Sequence, residues 1–368
     1  MKLLVDAHCF DYATSEGINT YIKGLYGALT RIASDIDFYF AAQKIDKVEQ
    51  LFGHVANVHY IQLTATNKIK RLLTEFPSII QRYGIDYAHF QYTSPLIKKC
   101  KTIITLHDIL FKDYPQMFPL GYRLTKGILF ELSARRADLL FTVSDYSRSR
   151  IALHYGIDKN KIYVTPNAVS EDFFHIDANQ AHAFVKRKSV REYILYVSRI
   201  EPRKNQIALL RAFHDLRLVE KGYDLVFIGR KTLPVPDFDE LLASLPEEEK
   251  QHIHIYNQVS YEELKLWYKA AALFVYPALA EGFGIPPIEA GAAGVPCVCS
   301  NLTAMGDFTF FENNLVDVTN SEVLKSAIDA NLSSSSIDTN KICSAIHSKY
   351  NWKSIAENFY MQLRSARI

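Results

Sequence analysis

The stretch Ala280-Glu-Gly-Phe-Gly-Ile-Pro-Pro-Ile-Glu-Ala-Gly carries the densest chemistry in the chain. It follows a short apolar run, Leu273–Tyr276, and Pro277. Gly282 and Gly284 let the backbone approach a ligand closely and present its N–H groups. Pro286 and Pro287 suit the first turn of a helix. A helix start is an anion site, because its free N–H groups and its dipole both favour negative charge. Glu281 on the loop and Glu289 about one turn into the helix add two acidic acceptors. Together these groups suit a ligand that has both phosphates and hydroxyls. The glutamate pair alone would be uninformative; the glycines, the prolines and the strand-loop-helix context give it specificity.

The elements that must position this loop alternate. Lys2–Asp6 reads as a buried strand, and 17–32 repeats apolar residues with a 3.6-residue period (Ile18, Tyr21, Ile22, Leu25, Leu29, Ile32). Further strands are expected at 36–41, 58–61, 87–90, 102–106, 139–143 and 162–165, with helical stretches between several of them. The polar stretch 177–191, with the basic run Lys186-Arg187-Lys188, reads as a domain linker and the lip of the next strand. A second series then follows, with strands at 193–197, 225–228, 254–256, 273–276, 295–299 and 315–318 and helices at 206–219, 261–271 and 287–293. This rhythm predicts an α/β protein of two doubly wound parallel halves. Ligands in such sheets sit beyond the carboxyl ends of the strands, so the cleft between the halves is the expected site. The C-terminal stretch reads as helix 321–331, a serine loop at 333–336 and two more helices, the last striped with Trp352, Ile355, Phe359 and Leu363.

Composition limits the function classes. The chain has 368 residues, enough for two ordinary cores, and is 48% hydrophobic and 22% charged. A net charge of +2 gives no bulk reason to expect a nucleic-acid partner. Five cysteines, with no second ligand pair near Cys297 and Cys299, disfavour a zinc site and fit a reduced, intracellular chain. No apolar run approaches the ~18 residues of a membrane span, and the apolar start before Asp6 and His8 is too short for a signal-peptide core.

The 281–289 segment resembles the E-x7-E signature of the large retaining glycosyltransferase family 4, which has the GT-B architecture. Ser198-Arg-Ile-Glu-Pro-Arg-Lys-Asn205 is similar to the loop that opens that family's second domain. Ala137–Ser147 and Lys161–Val169 resemble its stretches ending the first domain, and Tyr350-Asn-Trp352 the start of its last helix. The resemblance implies an acceptor domain over 1–176, a nucleotide-sugar donor domain over 177–350, and a helix over 351–368 packing back on the first.

It also implies roles. Arg199 and Lys204 would bind the donor diphosphate, as a guanidinium fork and a point charge suit phosphate oxygens. Glu289 would accept from the donor ribose, and Glu281 would lie near the transferred sugar. The amides of Gly282, Phe283, Gly284 and Ile285 would meet sugar and phosphate oxygens. The base would lie near Gly229, Arg230, Gln258 and Val259. His107, in Thr105-Leu-His-Asp108, would reach the donor sugar. Gly17 would stand beside the phosphates, although an acid, Glu16, precedes it where the family usually has a second glycine. The Asp-x-Asp pairs Asp35/Asp37 and Asp237/Asp239 read as surface, so no metal and no cofactor is expected; the nucleotide diphospho-sugar is a co-substrate.

The implied reaction is retaining transfer of a hexosyl group to a hydroxyl of a lipid-linked or saccharide acceptor in cell-surface polysaccharide synthesis. The 200–205 wording is similar to mannosyl- and rhamnosyltransferases, which points to GDP-mannose. The alternatives are a UDP- or dTDP-sugar transferase, an epimerase, or a non-catalytic nucleotide-sugar-binding subunit. A cytoplasmic location is expected, with peripheral membrane contact through the basic clusters at 68–71, 98–101 and 186–188.

Overall fold

Near-continuous apolar runs such as Leu3-Leu4-Val5, wholly buried, are what strands covered on both faces require. The computed structural model describes residues 1–12, 16–333 and 338–366, and in it such runs form two all-parallel sheets. The first holds β1 (Lys2–Asp6), β2 (Asp37–Ala42), β3 (Val58–Gln62), β4 (Tyr87–Gln91), β5 (Lys101–Leu106), β6 (Leu139–Thr142) and β7 (Ile162–Val164). Their order is β3-β2-β1-β4-β5-β6-β7. The second holds β8 (Glu192–Val197), β9 (Tyr223–Ile228), β10 (Ile253–Tyr256), β11 (Leu273–Tyr276), β12 (Cys297–Ser300) and β13 (Leu315–Val316), in the order β10-β9-β8-β11-β12-β13. Both are doubly wound. The winding reverses between β1 and β4 in one sheet and between β8 and β11 in the other, and each reversal opens a crevice at the carboxyl ends of the strands.

The sheets belong to two compact units: Met1–Ala168 with Asn351–Ile368, and Val169–Tyr350. The chain therefore changes unit at 168/169, eight residues before the 176/177 boundary expected from the sequence. The stretch 177–191 is not a linker. Ala178–Arg187 is a helix whose N-cap, Asp177, accepts from the Gln180 amide at 2.8 Å. It buries Ala181, Phe184 and Val185, and the Phe184 ring meets Trp267 edge-on at 5.4 Å.

In the first unit the helix Trp352–Ser365 packs along the helix Glu16–Ile32. Gly24 makes this approach possible: a Cβ there would fall 1.9 Å from Cε2 of Trp352. Ile355, Phe359 and Leu363 are buried, and Phe359 stacks on Phe141 at 4.6 Å and on His89 at 5.6 Å. Residues 334–336 of the serine loop lie outside the described residues. Among the described residues no helix is long and apolar enough to cross a membrane.

Candidate functional site

In the second unit, the loops leaving β8 and β11 flank the point where the winding reverses. The β8 loop forms a 3-10 turn at Pro202–Lys204, closed by Asn205 in the left-handed region (φ 53°), and enters the helix Gln206–Asp215. The β11 loop runs alongside it, the Leu279 amide donating to the Arg203 carbonyl at 2.8 Å. The two loops thus bring Lys204 and Glu281, 77 residues apart in sequence, into direct contact as a buried ion pair.

This pair has company. Lys204 Nζ donates to the Tyr276 hydroxyl at 2.9 Å, and that hydroxyl donates to Glu281 Oε1 at 2.6 Å. Arg203 NH1 donates to Glu281 Oε2 and to the Ala280 carbonyl, both at 3.0 Å. The other end of the Arg203 guanidinium lies 2.7 Å from Glu201 Oε1, and Arg199 reaches the same oxygen at 3.7 Å. Burial opposes ionisation of Glu281, but Lys204 and Arg203 outweigh it and hold its carboxyl down at about 2. Burial and then Arg203 lower Lys204 to about 8, against the pull of Glu281. Lys204 is therefore locked in place, whereas Arg199 keeps a third of its side chain in solvent and is held loosely. Arg203, Glu201 and Tyr276 were not singled out from the sequence, although the first two stand inside the 198–205 segment.

Gly284 caps the helix Ile285–Ala292 with φ 101°, a left-handed conformation that favours glycine, and a Cβ there would press to 3.0 Å on Met305. The prolines refine the anion argument: Pro286 and Pro287 carry no N–H, so the free donors at this start are the amides of Gly284 and Ile285. The Phe283 side chain is core, edge-on to Phe308 and Tyr350. Gly282 lies buried between Glu281 and Phe283. Glu289 accepts from the Tyr268 hydroxyl at 2.9 Å, and burial raises its carboxyl to about 7. Gly229 follows β9 with φ 148°, and a Cβ there would collide with the Ser198 carbonyl oxygen at 1.9 Å, so this residue lets the β8 and β9 loops touch. Arg230 continues that loop, while Gln258 (exposed) and Val259 (half-buried) follow β10.

In the first unit, His107 follows β5 and is buried, its ring edge-on to Tyr21 at 5.1 Å. Its Nε2 lies 2.8 Å from Gln91 Oε1, so that nitrogen carries the proton and Nδ1 remains an acceptor. Register supplies the partners. Gln91 stands opposite Thr105, and the Gln91 amide and the Thr105 hydroxyl both meet Nε2 of His89, at 3.2 and 2.8 Å. His89 Nδ1 meets the Tyr26 hydroxyl at 2.6 Å. Burial lowers both histidines to about 3, so His107 is neutral at physiological pH. Gly17 is exposed in the first turn of Glu16–Ile32, and the Glu16 side chain lies outside the described residues.

Asp37 begins β2, and Asp237 and Asp239 sit in the helix Pro236–Ser244, where Asp239 pairs with Lys231. Among the described residues no group of three or more His, Cys, Asp or Glu is placed to hold a metal.

Two doubly wound parallel units, each with its own winding reversal, define the class: a GT-B fold. Residues 177–346 match Glycosyl transferases group 1, and residues 15–173 match Glycosyltransferase Family 4. The chain belongs to these glycosyltransferases. It is 29% identical over 359 residues to an O-antigen chain mannosyltransferase B of Escherichia coli, covering 89% of this chain and 91% of that protein. It is 30% identical over 211 residues to the O-antigen chain mannosyltransferase RfbU of Salmonella typhimurium, covering 57% and 54% respectively. Its fold is similar to that of a glycosyltransferase from Rickettsia africae, with TM-score 0.75 at 17% identity, covering 99% of this chain and 98% of that one.

Proposed function

We propose that this glycosyltransferase moves a mannosyl group from GDP-mannose to a hydroxyl of a lipid-linked or oligosaccharide acceptor, with retention, during assembly of a cell-surface polysaccharide. The observation that carries this reading is the similarity across nine-tenths of the chain to an O-antigen chain mannosyltransferase.

Departure of the nucleoside diphosphate places negative charge on the leaving oxygens. Arg199, half-buried and weakly held, meets that charge first. Lys204 and Arg203 form a fixed cationic floor beneath it, already aimed by Glu281 and Glu201, so little reorganisation is needed as charge develops. The amides of Gly284 and Ile285 add donors at the helix start. Glu281 is saturated by Lys204, Arg203 and Tyr276; it orients those cations and the sugar rather than acting as a free base. Glu289 accepts from the ribose hydroxyls. Neutral His107 presents Nδ1 to a sugar hydroxyl. These cations supply the charge neutralisation that a metal would otherwise give, so the reaction runs without one.

We also propose a cytoplasmic enzyme touching the membrane through the first unit. The helix Leu120–Arg136 exposes Leu120, Leu124, Ile128 and Leu132 at four-residue spacing, with Ile128 71% exposed. Arg136 NH2 donates to the Leu96 carbonyl at 2.8 Å, joining the helix end to exposed Leu96 and Ile97 and to the basic 98–101 cluster. This pairing of apolar and basic groups suits an anionic interface.

The test is a thermal-shift panel of GDP-, UDP-, dTDP- and ADP-sugars with EDTA, followed by a transfer assay. Stabilisation by GDP-mannose and retention in the product are expected. Stabilisation by a UDP- or dTDP-sugar alone overturns the mannosyl assignment.

A further inference from the structure

Arg71 is buried to 2% exposure, yet its Nε and NH1 have no hydrogen-bond partner among the described residues. It lies beyond the carboxyl end of β3. There Asn67 caps the short helix Lys68–Lys70, its side chain accepting from the Ile69 amide at 2.7 Å, and the chain passes into a π-turn at Arg71–Glu75. The carboxylate whose field reaches Arg71 is Asp6, at the end of β1. That carboxylate is already engaged: Asp6 Oδ1 accepts from the His8 amide at 3.2 Å and faces His8 Nδ1 at 2.6 Å.

Two further cations converge here. The charges of Lys126, on the helix Leu120–Arg136, and of Arg71 and Asp6 all reach Lys68, which is exposed. Burial, then Lys126, lower Lys68 to about 8. Three cations thus share one carboxylate. A buried guanidinium with idle N–H groups is unfavourable unless an anion completes the arrangement. The place is the ligand-bearing edge of the sheet, beside the winding reversal between β1 and β4.

We propose that Arg71, Lys68 and Lys126 form a binding site for a phosphate ester in the first unit, distinct from the diphosphate-binding residues of the second. The guanidinium offers two N–H groups in a fixed fork, and the lysines add two point charges. Asp6 holds Arg71 without satisfying it. The surplus of cations over Asp6 matches a phosphate monoester or a diphosphate, about −1.5 to −2 at pH 7. The phosphate can come from a phosphorylated saccharide or from a lipid headgroup. The site does not depend on which nucleotide sugar is the donor.

The experiment titrates the full chain, its donor residues occupied by saturating GDP, with glycerol 3-phosphate by calorimetry, and with phosphatidylglycerol and phosphatidylcholine vesicles by co-sedimentation. The variants are Lys68→Ala, Lys126→Ala and Arg71→Lys. Lys126→Ala and Lys68→Ala lie at the rim, so they report even if changes at Arg71 impair folding. The expected result is binding by the parent chain that weakens about tenfold in each rim variant, the loss of one charge-assisted contact. Loss with glycerol 3-phosphate identifies a phosphorylated saccharide as the source; loss confined to phosphatidylglycerol vesicles identifies a headgroup. No binding to any of these probes, or binding that survives both lysine variants, overturns the proposal.

Discussion

Replacing Lys204 by Met removes the ammonium that pairs with Glu281 and bonds Tyr276 at 2.9 Å. Both partners are buried, their side chains 7% and 11% exposed, so the interaction is not discounted for solvent. Breaking one side of a buried pair costs about 3–5 kcal/mol. Here Arg203 still lies 3.0 Å from Glu281 and the Tyr276 hydroxyl 2.6 Å away, which places the expectation near 3 kcal/mol. For a unit of this size that is a fall of roughly 6–12 °C in Tm. The double variant Lys204→Met/Glu281→Gln keeps an amide that can serve Arg203 and Tyr276 and leaves no buried carboxylate, so it should cost only about 1 kcal/mol. A double-mutant cycle by urea unfolding should then give a coupling of at least ~1.5 kcal/mol. The pH limb adds a second reading. The folded Glu281 carboxyl sits at about 2, below its ordinary 4.5, so its stabilisation is complete above 4.5 and is lost as pH falls toward 2. Lys204→Met should flatten that acid limb while lowering turnover sharply. Single and double variants that add within ~0.5 kcal/mol would refute the coupled cluster.

Two further expectations concern binding. Because the Glu289 carboxyl is raised to about 7, ribose hydroxyls should find a stronger, charge-assisted acceptor as it ionises, and donor affinity should rise by up to about tenfold from pH 6 to pH 8. Calorimetry at the two pH values measures this; Glu289→Gln should abolish the slope, and a flat profile in the parent chain removes the ribose role. For the membrane face, Ile128→Glu should weaken co-sedimentation with anionic vesicles tenfold or more, about the burial value of one large apolar side chain, with Tm unchanged. Unaltered vesicle binding would exclude that helix as the contact.

The sequence displayed the sheet rhythm well, because strands buried on both faces are runs of Leu, Ile, Val and Phe that no solvent-facing segment imitates. It displayed the 281–289 loop for the same local reason: glycines and prolines at a strand-to-helix turn have few other uses. The helix Ala178–Arg187 was hidden because five of its ten residues are polar or basic, and only Ala181, Phe184 and Val185, at helical spacing, record the face it buries. The Lys204–Glu281 pair was hidden differently. Each residue was visible as a candidate, but their contact depends on β8 and β11 being neighbours across a winding reversal, which no local pattern encodes. The same holds for His107, whose tautomer is set by Gln91 on an adjacent strand. Arg71 read as part of a basic cluster that could touch the membrane; only the fold shows that it turns inward.

The helix Trp352–Ser365 has a consequence for how this protein is made. It completes the unit that begins at Met1, so residues 169–350 are, in effect, inserted into that unit. On the ribosome the first sheet forms early but waits for its last piece until the whole second unit has been synthesised. Until then the helix Glu16–Ile32 presents Gly24 and its apolar neighbours to solvent, and the Tyr26–His89–Gln91 network lacks the Phe359 ring that later stacks on His89. Contacts spanning more than three hundred residues close slowly and leave apolar surface exposed meanwhile. The N-terminal half should therefore be the part that engages chaperones during synthesis, while the second unit, continuous in sequence, folds as it emerges.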